Sequence, residues 1–114
     1  MLAAKYRLRK KKDIGLVLKG GKSSKEGPLV LKTKKNDLPF CRFAFIVSRK
    51  VSTKAVVRNK IRRKMREEVR LKIKNCQAGF DNLFIALPGK INKEDLTEIA
   101  GCIEILLRRN KVLK

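Results

Sequence analysis

The sequence contains no histidine and no tryptophan, and only one tyrosine and five phenylalanines. Without histidine, no side chain has an ordinary pKa near neutrality, so general acid–base catalysis lacks its usual carrier. So few aromatics argue against a broad base-stacking sheet. Phe43 and Phe45, at spacing two in one strand-like run, share a side and are expected to pack in the core. The three cysteines, Cys41, Cys76 and Cys102, are odd in number and form no C-x-x-C pair. A zinc site therefore lacks ligands, and buried free thiols in a reducing compartment are the expectation. Only ten residues are acidic. The neighbours Glu67-Glu68 and Glu94-Asp95 point in different directions on a helix, so no carboxylate set gathers for a two-metal centre. Neither a P-loop nor a G-x-S-x-G turn is present.

Long apolar runs are missing too. No stretch approaches the roughly 20 apolar residues of a spanning helix. Ile14-Gly15-Leu16-Val17-Leu18, after a basic N-terminus, is too short for the apolar region of a signal peptide. These absences predict a cytoplasmic binder with no membrane partner and no zinc, not a self-sufficient catalyst.

What the sequence has is positive charge. Thirty-one Lys and Arg stand against the ten acids, for a formal +21 and a pI near 10.6 on 13.1 kDa. Self-repulsion at that density opposes compaction, which points to a polyanionic partner. Nucleic acid is the first reading and an anionic membrane surface the main competitor. The 43% apolar content is enough for a modest core, and 114 residues predict a single domain, 1–114.

Along the chain, Asp13 to Lys19 predicts a short helix with Ile14, Val17 and Leu18 on one face, stopped by Gly20-Gly21 in a left-handed turn. The segment from Lys22 to Pro28 reads as loop. Leu29 to Thr33 and Phe43 to Val47 read as strands, with a turn through Asn36-Asp37-Leu38-Pro39 between them. A long helix follows from about Lys54 to Lys74. In it Val57, Ile61, Met65, Val69 and Ile73 step by four and form an apolar ladder. Asn82 to Leu87 is a buried-strand run closed by Pro88-Gly89. Asn92 predicts the N-cap of a last helix, with Glu94 and Asp95 at its positive end and Leu96, Ile99, Ala100, Ile103, Leu106 and Leu107 on its apolar face. Strands and helices in this order predict a layered α+β domain, its helices covering a small sheet.

The row beside the ladder is Arg58, Arg62, Arg66, Arg70 and Lys74, with no acidic member. Solvent-facing helices usually mix signs, so a one-sign row points to a phosphate track. Arginine's planar fork suits phosphate better than a point charge does. Spacing leaves Asn59 open, as an ordinary exposed residue or as a hydrogen-bonding group for a base or ribose. Arg49 and Lys50, at the end of the second strand, and Lys54 add cations where that strand enters the loop before the helix.

Val47-Ser48-Arg49-Lys50-Val51, followed by Ala55-Val56-Val57-Arg58-Asn59-Lys60-Ile61-Arg62-Arg63-Lys64-Met65-Arg66-Glu67, resembles the signature of the bacterial ribonuclease P protein component, whose helix carries an Arg-Asn-x-x-Arg core. Tyr6-Arg7-Leu8, Asp13-Ile14 with Gly21, and the late strand from Asp81 to Pro88 fit the same family. The resemblance implies a mixed sheet of about four strands in αβββαβα order, with a left-handed βαβ crossover. It implies partnership with ribonuclease P RNA and precursor tRNA, with the chemistry in a Mg²⁺-dependent RNA subunit and no cofactor held by the protein. Carried over, Arg49, Lys50, Lys54, Arg58, Asn59, Arg62, Arg63, Arg66 and Arg70 face the catalytic RNA. Arg7, Ile14, Leu18 and Lys32 line the cleft for the 5′ leader, with aliphatic and basic side chains where the family often has aromatics. A ribosomal or other structural RNA-binding protein is the alternative.

Overall fold

A computed structural model describes residues 2–92 and 95–113. Helix α1 (Lys11–Gly20) leads into the hairpin β1 (Lys22–Glu26) and β2 (Leu29–Lys35), then β3 (Arg42–Ile46). The long helix α2 (Ala55–Lys72) carries the chain to β4 (Phe80–Ala86), and α3 (Thr97–Arg109) follows. Single 3₁₀ turns at Ala4–Tyr6 and Ile73–Asn75 precede α1 and close α2. The sheet order is β1-β2-β4-β3, antiparallel except where β3 and β4 run parallel. That pair needs a long crossover, which α2 supplies. The result is the mixed four-stranded sheet with three helices that the resemblance implied.

Side chains alternate across each strand, so each face of the sheet has its own core. Leu29, Leu31, Phe43, Phe84 and Ala86 face α2 and α3, and meet Ile61, Met65, Val69, Ile99, Ile103, Leu106 and Leu107. Leu8, Val17, Ala44 and Leu83 form a smaller cluster under α1. Inner strand β4 feeds both clusters, which is why its second half, Leu83 to Ala86, reads as an unbroken apolar run. Phe43 and Phe45 lie on one side as expected, both stacked near parallel to Phe84. All three cysteines are free and buried. Cys76 Sγ donates to Lys72 O at 3.4 Å, and the neighbouring thiols of Cys41 and Cys76 act on each other, drawing the pKa of Cys41 down and pushing that of Cys76 up.

Three local expectations differ from the structure. Lys22 to Glu26 is not loop but edge strand β1, whose backbone pairs with β2 from Lys22↔Thr33 to Glu26↔Leu29. Its side chains are polar and mostly solvated, so no hydrophobic alternation announces it. Gly27, at φ +55, makes the tight turn, and an added Cβ there would stand 2.9 Å from Cys102 Sγ. At the end of α1, Gly21 is extended (φ −78), not left-handed. Glycine is required there by close approach, since a Cβ would meet Val17 O at 2.6 Å and Thr33 O at 2.9 Å. Within α1, Val17 is buried and Ile14 half-buried, but Leu18 is 40% exposed.

At the other end of the chain, α3 begins at Thr97, not just after Asn92. Asp95 Oδ1 accepts hydrogen bonds from Thr97 N–H (3.1 Å) and Thr97 Oγ1 (2.7 Å), which hold its pKa below the usual carboxylate range. Asn92 Oδ1 instead accepts from Asp95 N–H in the preceding turn. Several capping-type residues occur in a row, and the half-buried Leu96 and buried Ile99 decide which of them starts the helix. Glu94 lies outside the described residues.

Candidate nucleic-acid interface

The ladder on α2 sets the helix's rotation about its axis. Ile61, Met65 and Val69 are fully buried, with Val57 and Ile73 packed at the ends of the row. The adjacent arginine row therefore emerges along the rim of the helix. Backbone carbonyls hold its first members: Arg58 donates to Ser52 O at 2.9 Å and Arg62 to Val47 O at 3.3 Å. Arg62 also donates to Asn59 Oδ1, so Asn59 orients the guanidinium while its own side chain stays at the surface. Arg63 is exposed on the next row.

Arg66 lies at the crowded centre of this group. Partial burial lowers its pKa, and the charges of Arg7, Arg62 and Arg63 lower it further. Arg7 thus joins the α2 cluster instead of meeting Ile14, Leu18 and Lys32. The local cause is alternation. Leu8 N–H bonds Phe43 O along the edge of β3 and the Leu8 side chain packs under α1, so its neighbour Arg7 turns to the opposite face. There Arg7 Nε donates to Leu2 O at 2.9 Å. Among the described residues, no ion pair joins a carboxylate to Arg7, Arg49, Lys50, Lys54, Arg58, Arg62, Arg63 or Arg66. Like charges held this close by backbone acceptors repel one another, and a polyanion relieves that repulsion.

Further along α2 the row changes character. Arg70 is neutralised by Glu67 at i,i+3, which raises the pKa of Arg70 and lowers that of Glu67. Glu68 pairs with Lys64 at 3.1 Å and Lys72 at 3.5 Å. The uncompensated charge on α2 therefore runs from Arg58 to Arg66, the first two-thirds of the helix, and not along its whole length.

The entry to α2 extends this surface. Val51 and Ser52 are buried and anchor the loop, and Val51 N–H bonds Ser48 O at 3.0 Å to close a turn that leaves Arg49 and Lys50 exposed. Ser52 Oγ accepts from Lys54 N–H at 3.2 Å. The first turn of α2 has no acidic residue and no side-chain cap, so its free N–H groups favour an anion. A shallow recess there is lined by Arg49, Lys50, Ser52, Thr53 and Lys54.

On the opposite face, Lys32 Nζ donates to Leu18 O at 3.3 Å, which brings those two positions together at the end of α1. Ile14, Ile46 and Ile85 form a half-buried apolar strip beside them. The helix is moored by residues that pattern alone did not single out as a network. Arg42 forks onto Asp81 through two 2.8 Å hydrogen bonds and reaches Asp13 on α1 at 3.5 Å, while Asn36 donates to Asp81 at 2.6 Å. The bonds to Asp81 hold the guanidinium's pKa above its ordinary value. The one available signal was an aspartate, Asp81, near the start of a mainly apolar strand.

The family model for ribonuclease P matches residues 2–111. The chain belongs to the ribonuclease P protein family. It is 38% identical over 92 residues to the ribonuclease P protein component of Pelotomaculum thermopropionicum, covering 81% of this chain and 76% of the relative. It is 33% identical over 109 residues to that of Roseiflexus castenholzii, covering 96% and 88%. Among solved structures, the Staphylococcus aureus RNase P protein superposes with a TM-score of 0.85 at 30% identity, over 96% of this chain and 98% of that one. The Thermotoga maritima RNase P protein does so at 0.78 and 33%, over 90% and 96%. Ribonuclease P proteins are the protein part of a ribonucleoprotein that processes tRNA 5′ ends, so this chain has an RNA partner. No helix among its described residues is long and apolar enough to cross a membrane.

Proposed function

We propose that the chain docks on the catalytic RNA of ribonuclease P through α2 from Arg58 to Arg66 and its entry loop, and holds the 5′ leader of precursor tRNA beside α1. The gathering of Arg7, Arg62, Arg63 and Arg66 with no carboxylate partner carries this reading. Arg49, Lys50 and Lys54 extend the docking face, and Arg58 and Arg62, steadied by carbonyls and Asn59, present oriented forks to phosphates. Arg70, engaged with Glu67, contributes least. On the other face Ile14, Leu18 and Lys32 offer apolar contact and one cation to an extended strand. In this reading both partners are cytoplasmic RNAs, and residues 1–114 act as a single RNA-binding domain.

The holoenzyme's Mg²⁺ is assigned to the RNA. Among the described residues, no three His, Cys, Asp or Glu side chains converge to hold an ion, so no step is routed through a protein-bound metal. The protein's contribution is electrostatic: it lets two polyanions approach and raises affinity for the leader-bearing substrate.

Reconstitution with ribonuclease P RNA and a labelled precursor tRNA tests the proposal. Arg58→Ala and Arg62→Ala should each weaken assembly by about 1–3 kcal/mol, with slower cleavage at limiting protein. Losses no larger than those of an exposed lysine elsewhere, such as Lys90→Ala, would count against the docking face.

A further inference from the structure

A third cationic surface lies apart from the docking face and beyond the end of the strip beside α1. A recess of about 530 Å³ opens where the ends of α1, β2 and α3 meet the starts of β1 and β4. Its walls include Lys22, Lys34, Lys35, Phe80, Arg109 and Lys111, and no carboxylate lines it. The acids nearby are already engaged: Arg109 donates to Glu26 Oε1 at 2.6 Å and to Lys25 O at 2.8 Å, tying α3 to β1, and Asp81, the cross-strand partner of Lys34, is held by Arg42 and Asn36. Lys22, Lys34, Lys35 and Lys111 line this one recess, Lys34 from the α1 face of the sheet and Lys22 and Lys35 from the α3 face.

Two backbone features shape this recess. A Cβ at Gly20 would stand 3.5 Å from Lys34 Nζ, so the ammonium lies directly over the end of α1. Lys111 is the one non-glycine residue with positive φ (60°) among the described residues. It ends α3 in the left-handed position, where Val112 N–H and Leu113 N–H fold back onto Leu107 O. Glycine or asparagine is the usual occupant of such a position, because a Cβ there crowds the following carbonyl. A lysine held in this conformation at a recess that no carboxylate lines opposes stability, and an anionic ligand would compensate. Phe80, half-buried, adds an apolar wall against which a base can lie. Lys34 shares a face of β2 with Lys32, about 7 Å away along the strand, so the recess continues from the strip beside α1.

We propose that this recess binds an RNA strand, with backbone phosphates on Lys22, Lys34, Lys35 and Lys111 and a base against Phe80. The inference rests on the chain being an RNA-binding protein, and adds a contact that neither the α2 face nor the α1 strip provides.

Amide NMR of the full chain, titrated separately with an unstructured oligouridylate and with inorganic pyrophosphate, tests it. The RNA should shift the Gly20 and Gly21 resonances in the wild type, and also in an Arg58→Ala/Arg62→Ala variant. Lys34→Gln and Lys111→Gly should each weaken that response severalfold and lower its salt slope by about 1, while Lys111→Gly raises the melting temperature. A lysine with only a structural role would not give that opposition of weaker binding and higher stability. RNA shifts confined to α2 and its entry loop overturn the proposal, as does unchanged RNA affinity in both lysine variants. A recess that responds to pyrophosphate but not to RNA is a site for free phosphate and overturns the strand reading. Failure of the docking face would show instead in reconstitution with the Arg58 and Arg62 variants, and would leave the recess response intact.

Discussion

Gly15 and Gly21 sit within two turns of each other in and after α1, yet substitution should push stability in opposite directions. An added Cβ at Gly15 meets nothing within 4 Å. Gly15→Ala therefore removes only backbone freedom and should stabilise by about 0.5–1 kcal/mol. At Gly21 the same methyl group would press on the Val17 and Thr33 carbonyls, and since both are backbone, α1 must lift from the sheet. Gly21→Ala should destabilise by about 1–3 kcal/mol. Urea denaturation of the pair checks the order. Arg42 poses a different question, because its side chain is 20% exposed and Asp81's 11%. Arg42→Met strands a largely desolvated carboxylate that keeps only Asn36, and should lose about 2–3 kcal/mol on denaturation. Arg42→Lys should recover part of this, as an ammonium cannot supply the two-pronged contact. The Arg42 network was invisible to residue spacing because its members, Asp13, Asn36, Arg42 and Asp81, come from four separate segments.

Among the elements, α2 separates folding from binding across its own circumference. Met65 is fully buried, so Met65→Ala should destabilise by about 2–5 kcal/mol. Arg62→Ala should leave the denaturation midpoint nearly unchanged and act on RNA affinity. If Arg62→Ala unfolds the chain, the guanidinium is structural and the docking face loses its main support. Helix α2 was legible because steps of four fall on one face of a helix, a property of five residues within one segment. Strand β1 was not, since Lys-Ser-Ser-Lys-Glu has no apolar period and is held by pairing alone. The start of α3 escaped for the opposite reason: Asn92, Asp95 and Thr97 all suit a helix terminus, and packing of Leu96 and Ile99 chose between them. The arginine row holds no acid of its own, but Glu67, one row across, reaches Arg70 at i,i+3.

For the molecule as a whole, a formal charge of +21 on 114 residues dominates its solution behaviour. RNA affinity should fall by roughly a thousandfold or more between low and moderate salt if several phosphates are engaged. Fluorescence anisotropy across a chloride series measures this, and a shallow slope would contradict phosphate-led binding. That charge, the apolar ladder of α2 with its cationic neighbours, and the buried run of β4 are determined by the sequence alone. Composition is independent of conformation, and helical and strand periods are written in consecutive residues. Only the tertiary structure decided that Arg7 stands with Arg66 across the sheet from Leu8, that Arg42 moors α1, and that Lys22, Lys34 and Lys111 share one recess. Each of these depends on strand order and helix docking, which bring together residues up to about ninety positions apart, and no local spacing records a contact made over that distance.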